Sequence, residues 1–434
     1  MSLKGTRPSD SLDPLPLDVI GVGFGPSNLA LAAALDEKTR PGHRVHFYER
    51  HSQFSWHGGM LLAGATMQVH FLKDLATLRN PVSRFSFLSY LHHRERLADF
   101  INHKALFPSR VEFHDYLEWA AGLLDDYVSY GCEVTRIEPG TEPHESGYLR
   151  VRFNQAGTDV GASRVRHTRS VVLAPGLQPR LPEGVCESER VWHSSGLLGR
   201  IEGLATDKRW RFTIVGAGQS AAEVAAYLHS RYPQSQVRAV LSPYGYTPAD
   251  DSPFVNRIFD PSAVGEFYQA PGTVRRMLSE RHSNTNYSVV DQELIEALYS
   301  TWYQEKVVDE RRLLIDNASR VLDVTEGCGS LSLTIETLTT GDKRAVESDF
   351  LVYATGYRPT PPEDLLAPDL LRLCKREKTG QLSVGRDYRL CMKEGVPYGI
   401  YLQGATDHTH GLSSTLLSNT AVRAGEIADS LTRR

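Results

Sequence analysis

Apolar and polar positions along this chain return twice to one arrangement: a short apolar run, a cluster of glycines, then a long stretch of alanine and leucine. Leu17-Asp18-Val19-Ile20 leads into Gly21-Val22-Gly23-Phe24-Gly25-Pro26, and Ser27-Asn28 opens a run from Leu29 to Leu35. The pattern predicts a buried strand, a tight turn and a helix. Arg44-Val45-His46-Phe47-Tyr48 predicts a second strand, closing on Glu49. Later, Arg211-Phe212-Thr213-Ile214-Val215 runs into Gly216-Ala217-Gly218-Gln219-Ser220 and then Ala221 to Leu228, with the same rhythm. Two more apolar strands close on small-residue turns, at Ser170–Gly176 and Asp349–Tyr357, and a last strand is expected at Tyr398–Gly404. A helix is expected to open around Leu412 to Leu417. Residues 1–16 read as a loose tail.

A strand, a glycine turn, a helix and a strand ending on an acid form the unit that binds a dinucleotide. Gly21, Gly23 and Gly25 let backbone approach a pyrophosphate, and the following helix start supplies positive partial charge. Pro26 suits the first helical turn. Glu49 is expected to accept from ribose hydroxyls. One such motif is weak evidence, but two in strand–turn–helix context imply two dinucleotides, usually a flavin and a nicotinamide. The fold expected is α/β: two Rossmann-like dinucleotide-binding domains with a smaller, partly helical substrate-binding insertion. The first domain is taken as residues 1–200 and 350–434, and the second as 201–349. The insertion is placed at about 244–303, where Pro243, Pro248, Pro253, Pro261 and Pro271 interrupt regular patterning.

Composition narrows the chemistry. The 434 residues carry 48 Lys and Arg against 52 Asp and Glu, a net charge of -4 that argues against a nucleic-acid partner. No apolar run is long enough for a membrane span, and the N-terminal segment lacks a signal sequence's apolar stretch. The five cysteines are scattered without C-x-x-C spacing, which excludes a dithiol reductase centre and a cysteine metal site. No metal is expected, and the chain is expected to be cytoplasmic. His408 and His410 have no carboxylate or cysteine cluster beside them and read as a helix-entry turn. Asp250-Asp251 reads as a turn, and His92–Arg96 as a solvated helical face.

Longer motifs carry a resemblance. Trp56-His57-Gly58, Met67–Leu75, Leu78-Arg79-Asn80-Pro81, Asp250–Asn256, Asn284–Val290 and His410–Ser418 resemble the microbial N-hydroxylating flavin monooxygenases of siderophore biosynthesis, over about Asp18 to Ser430. The resemblance implies FAD and NADPH as cofactors, with O2 and a small-molecule amine as substrates. NADPH reduces the flavin, O2 adds to give a C4a-hydroperoxide, and the amine attacks its distal oxygen to become a hydroxylamine. By the same resemblance, Lys73 and Asn256 hold the α-carboxylate of L-ornithine, Ser418 lies beside the substrate, and Asn286 bridges nicotinamide ribose and substrate. Arg110 falls near the flavin, with a structural ion pair as its competing role. Trp56, His57, Met67, Gln68, Thr415, Leu416 and Leu417 contact FAD, with plain core packing also open for Met67. Val134 offers backbone to the adenine. A homo-oligomer, tetramer or dimer, is implied.

The chain departs from that pattern at Ser242, where relatives often carry an arginine for the NADPH 2'-phosphate. NADH use is therefore open, with Arg238 one possible substitute. Ser414 stands where aspartate is common. L-Lysine or a diamine such as putrescine remains an alternative substrate, as do a non-hydroxylating flavin reductase or oxidase and a silent dinucleotide-binding regulator.

Overall fold

A computed structural model describes residues 15–38, 42–141, 147–157, 163–282, 285 and 288–433. In the first part of the chain lie β1 (Leu17–Val22), β2 (Val45–Tyr48), β3 (Val128–Ser129), β4 (Cys132–Pro139), β5 (Leu149–Gln155) and β6 (Arg164–Leu173). They form one sheet in the order β3-β2-β1-β6-β5-β4. From β3 to β6 the pairing is parallel, whereas β4, β5 and the first half of β6 form an antiparallel meander.

After a short β7 (Leu177–Pro179), the chain builds a second sheet. Its strands are β8 (Val191–His193), β9 (Arg211–Val215), β10 (Gln236–Val240), β11 (Leu313–Asp316) and, past a three-stranded antiparallel flap, β15 (Phe350–Tyr353). The flap consists of β12 (Ser319–Glu326), β13 (Leu331–Thr337) and β14 (Lys343–Ser348). The second sheet runs β11-β10-β9-β15-β8 with every pair parallel. Such sheets bury both faces, and Phe212, Ile214, Val237, Leu351 and Val352 are all buried. β16 (Tyr357–Pro359) then lies antiparallel on β7, so the outgoing and returning crossings run side by side. β17 (Gly399–Leu402) rejoins the first sheet beside the second half of β6.

The strand pairing moves the expected boundaries. β8 and β15 both belong to the second sheet, so the crossing falls before residue 200 and after residue 350. Helix Gln292–Val307 packs Leu298, Ile295 and Trp302 onto the second core, which shortens the expected insertion at its far end. What remains carries a 3-10 turn at Val255–Phe259 and two helices, Pro261–Gln269 and Gly272–Arg281.

Helix Pro26–Lys38 buries eight consecutive residues from Asn28 to Leu35. It sits in one core with the last helix, Thr420–Thr432, whose Ala424, Ile427, Ala428 and Leu431 are buried. The long helix expected from Leu412 begins only at Thr420. Before it, Leu412–Thr415 and Leu417–Asn419 are 3-10 turns separated by an extended Leu416. The apolar run there has the right composition for a helix, but Gly411 at φ 77 and the break at Leu416 set its geometry.

Candidate functional site at the junction of the two sheets

The two glycine turns have the same construction. Gly23 has φ +82, and a Cβ there would lie 2.4 Å from the Ala174 carbonyl oxygen at the end of β6. Gly216 has φ +143, and a Cβ there would lie 2.4 Å from the carbonyl oxygen of Ala354 just past β15. Each turn is thus pressed onto the strand whose small-residue ending the pattern had singled out. At Gly25 a side chain would meet nothing within 4 Å, so the first turn is open toward whatever it cradles. Pro26 and Ser27 follow as the first helical residues.

Glu49 is buried; one oxygen accepts from the Phe24 N–H (2.7 Å), and the other meets the His51 N–H (2.9 Å) and ring Nδ1 (2.7 Å). Each carboxylate oxygen can accept more than one hydrogen bond, so room for ribose hydroxyls remains. Behind the turn, Asn28 donates to the carbonyls of Val22 and Gly23 and accepts from Gln403 (2.8 Å). Arg423, fully buried, reaches Ser27 Oγ (3.1 Å), Gln403 and the Ser414 carbonyl. Ser414 in turn donates to half-buried Asp407 (2.8 Å). Sequence reasoning missed Asn28, Gln403, Asp407 and Arg423, because each looks like an ordinary polar residue until the chain ends meet. Val134 is buried in β4 at the edge of a register irregularity.

Between the sheets lies a polar network. Arg110 forms a two-point ion pair with Glu223 (2.8 and 2.7 Å) and donates to the Met60 carbonyl. Both side chains are largely buried, at 13% and 5% exposure. Gln219 donates to Glu223 (3.0 Å) and to Asp291 (2.9 Å), and Gln68 donates to the same Asp291 oxygen (2.5 Å). Arg110 is thus ion-paired to Glu223, and the Gln219 and Gln68 amides both donate to acids. Glu223 and Asp291 were not anticipated. The one sign of Glu223 was an acid interrupting the alanine-rich face that the helix buries. Ser220, by contrast, is half-exposed at the start of helix Gln219–Arg231, and Gly218 immediately precedes it.

His57 has φ 52 and stands edge-on to Trp56 (4.7 Å) and Tyr357 (6.0 Å). Its surface is exposed, yet protein surrounds it, as expected for a group lining an open cleft. Desolvation, followed by the Arg110 charge, pushes its pKa down to about 4, so the ring is neutral at pH 7. Met67 is buried in the first core, its N–H donating to the Pro108 carbonyl.

On the amine side, Lys73 is half-buried and lies 5.8 Å from the centroid of the Phe259 ring. Among the described residues its ammonium has no hydrogen-bond or ion-pair partner. Burial lowers its pKa, and the negative charge of Asp260 works against that. Phe259 closes the 3-10 turn that carries Asn256, so Lys73 and Asn256 are brought to one small element. Asn256 also serves its loop, donating to the Asp251 carbonyl (2.7 Å). Ser418 is buried, Thr415, Leu416 and Leu417 are half-buried, and the neighbouring Asn419 amide is buried with no partner among the described residues for either polar atom. Asn286 lies outside the described residues. A cavity of about 570 Å³ opens beside the 3-10 turn between Phe254, Ile258, Phe267, Leu278 and Leu412. Neither Lys73 nor Ser418 lines it. Ser242 is exposed, and Arg238 is held by Asp316 (2.8 Å), which also takes Arg344 (2.6 Å).

The open first turn, the buried acid at the end of β2 and the second turn of the same build fit two dinucleotides facing one junction. Comparisons with known proteins agree. The family model described as L-lysine 6-monooxygenase/L-ornithine 5-monooxygenase matches residues 15–359. An L-ornithine N(5)-monooxygenase of Pseudomonas aeruginosa is 39% identical over 421 residues, covering 95% of this chain and 93% of that one. Its counterpart from Burkholderia cepacia is 42% identical over 405 residues, covering 91% and 89%. The solved ornithine N-hydroxylase of Kutzneria sp. 744, with reduced FAD, NADP+ and L-ornithine, superposes with a TM-score of 0.91 at 44% identity, covering 97% of this chain and all of that one. The chain belongs to the L-lysine 6-monooxygenase/L-ornithine 5-monooxygenase family.

Proposed function

We propose that this protein is an FAD- and NADPH-dependent monooxygenase that N-hydroxylates the side-chain amine of L-ornithine, giving N5-hydroxy-L-ornithine for a hydroxamate siderophore or related peptide. The observation that carries the substrate assignment is Lys73: a half-buried ammonium with no polar partner among the described residues, beside the turn that bears Asn256. An amino acid's α-carboxylate satisfies it, and a simple diamine does not. The ornithine-directed relatives support the same reading.

FAD, reduced by NADPH, supplies the activated oxygen. The first turn, with Gly21, Gly23, Gly25, Pro26 and Ser27, holds the flavin's pyrophosphate, and Glu49 holds its ribose. Trp56, His57, Met67, Gln68, Val134, Thr415, Leu416 and Leu417 surround the rest. Gly216, Gly218, Gln219 and Ser220 form the nicotinamide dinucleotide's turn. Lys73 and Asn256 fix the carboxylate end of the substrate, Ser418 lies beside it, and by the family resemblance Asn286 bridges nicotinamide ribose and substrate. A free primary amine has a pKa of about 10.4, so only about one molecule in a thousand is neutral near pH 7.5. The burial around Ser418 favours the neutral, nucleophilic amine. Excluding water from the junction protects the oxidant from premature breakdown.

We further assign the protein to the cytoplasm as a homo-oligomer, a tetramer or dimer. Among the described residues no helix is long and apolar enough to cross a membrane. The deciding experiment is a panel of L-ornithine, L-lysine, putrescine and cadaverine with hydroxylamine product quantified, run with NADPH and with NADH. Hydroxylation of ornithine well above the others is expected. Oxygen consumption that yields only hydrogen peroxide with every amine would instead establish a flavin oxidase.

A further inference from the structure

The polar network between the sheets has two ends of different character. At one end, Arg110 and Glu223 form a buried, two-point ion pair, the kind of contact that holds bodies together. At the other end stands Asp291, whose position is anomalous. It is the residue that precedes helix Gln292–Val307, the place where an aspartate ordinarily accepts from the first free N–H groups of its own helix. Asp291 makes no such bond. Its carboxylate instead crosses the junction, where one oxygen accepts from Gln219 at 2.9 Å and from Gln68 at 2.5 Å.

Gln219 is fully committed by this arrangement. Its two N–H bonds go to Glu223 and Asp291, and its carbonyl oxygen accepts the Asp291 backbone N–H at 2.9 Å. Flipping the amide would aim its oxygen at two carboxylates, so only one orientation is tolerated. Gln219 is also the first residue of the helix that follows the second glycine turn. The segment leading to Asp291 is fixed by the Val290 N–H donating to Thr247 (2.9 Å) and the Ala249 N–H donating to Val290 (3.2 Å).

We propose that Asp291 is a positioning residue. By joining Gln219 at the nicotinamide turn to Gln68 on the flavin side, it sets where the nicotinamide end of the coenzyme lies and keeps it there while oxygen is activated. The inference rests on the monooxygenase reading above. Its consequence is chemical. In the productive cycle NADPH + H+ + O2 + R-NH2 gives NADP+ + R-NHOH + H2O. With the coenzyme loosely held, water and protons reach the oxidant and NADPH + H+ + O2 gives NADP+ + H2O2.

The test uses the holoenzyme and compares Asp291→Ala, Asp291→Asn and Gln219→Met with wild type. Loss of a hydrogen bond to a charged group predicts that Asp291→Ala raises the KM for NADPH by about tenfold. Its hydrogen peroxide share of turnover should rise several-fold, at unchanged FAD content and melting temperature. Asp291→Asn keeps an acceptor oxygen and should recover most of both values. Gln219→Met should reproduce the Asp291→Ala phenotype, and combining the two should add little. The proposal is overturned if Asp291→Ala leaves the NADPH KM and the peroxide share within twofold of wild type. It is equally overturned if FAD content and stability fall in parallel with activity, or if Asp291→Asn is as impaired as Asp291→Ala. A wild-type enzyme that hydroxylates no amine would instead refute the monooxygenase reading, while the NADPH KM would still report on Asp291.

Discussion

Replacing Lys73 with alanine removes one charge from the amine side of the site and almost nothing else. The side chain is half-buried, has no polar partner among the described residues, and its ammonium lies 5.8 Å from the centroid of the Phe259 ring. Folding should therefore tolerate the change. Substrate binding should not, because a hydrogen bond between an ammonium and a carboxylate contributes about 1.5 to 3 kcal/mol. At 1.4 kcal/mol per factor of ten, the KM for L-ornithine should rise by roughly 10- to 150-fold. Putrescine lacks the carboxylate, so its turnover should change by less than about threefold, a contact that is absent in wild type costing nothing when removed. Hydroxylamine formation measured against concentration for both amines reads the two effects directly. A pH series adds a second check, because burial has already lowered the Lys73 pKa. Rising pH should weaken ornithine binding earlier than an ordinary lysine would, as the ammonium loses its proton, and Lys73→Arg should shift that loss upward. An ornithine KM unchanged in Lys73→Ala, or an equal loss for putrescine, would refute the carboxylate clamp.

Other consequences are equally direct. Gly23→Ala forces a side chain into a left-handed backbone against the Ala174 carbonyl, costing about 1–2 kcal/mol for the conformation alone; purified protein should hold markedly less FAD by absorbance and melt lower. His410 is buried, hydrogen-bonded to Thr409 and the Arg386 carbonyl, and burial lowers its pKa to about 4. Its contribution is complete above the unfolded value of 6.5 and is lost as pH falls toward 4, about 3 kcal/mol in all; urea midpoints of His410→Asn should show a shallower acid loss than wild type over that window. Glu223→Ala strands the buried Arg110 guanidinium and should destabilise by about 3–5 kcal/mol, read by thermal melting, whereas the double change with Arg110→Met should recover part of that loss. Ser242→Arg, placed where the second sheet ends its coenzyme-side strand, should lower the NADPH KM by about tenfold and leave the NADH KM unchanged in steady-state assays.

What could be read from sequence and what could not divides by distance along the chain. The glycine turns were legible because everything that defines them is local: a strand, a sharp turn with positive φ at Gly23, and a small-residue helix. Even the Glu49 contact with Phe24 spans only 25 residues. The Ala174 and Ala354 endings were legible for the same reason, as small residues closing apolar runs. The junction was not legible, since its hydrogen bonds join residues 113 apart for Arg110 and Glu223 and 223 apart for Gln68 and Asp291. Nothing in the neighbourhood of Gln68 announces which acid it will meet. The same limit applies to Arg110, since nothing local to it announces that its guanidinium will meet Glu223. It applies equally to Arg423, which reaches Ser27, almost 400 residues earlier in the chain. Local pattern thus determined which cofactors the chain can hold. Contacts across the junction determine how those cofactors are held relative to one another, and coupling between reduction and hydroxylation depends on that second property.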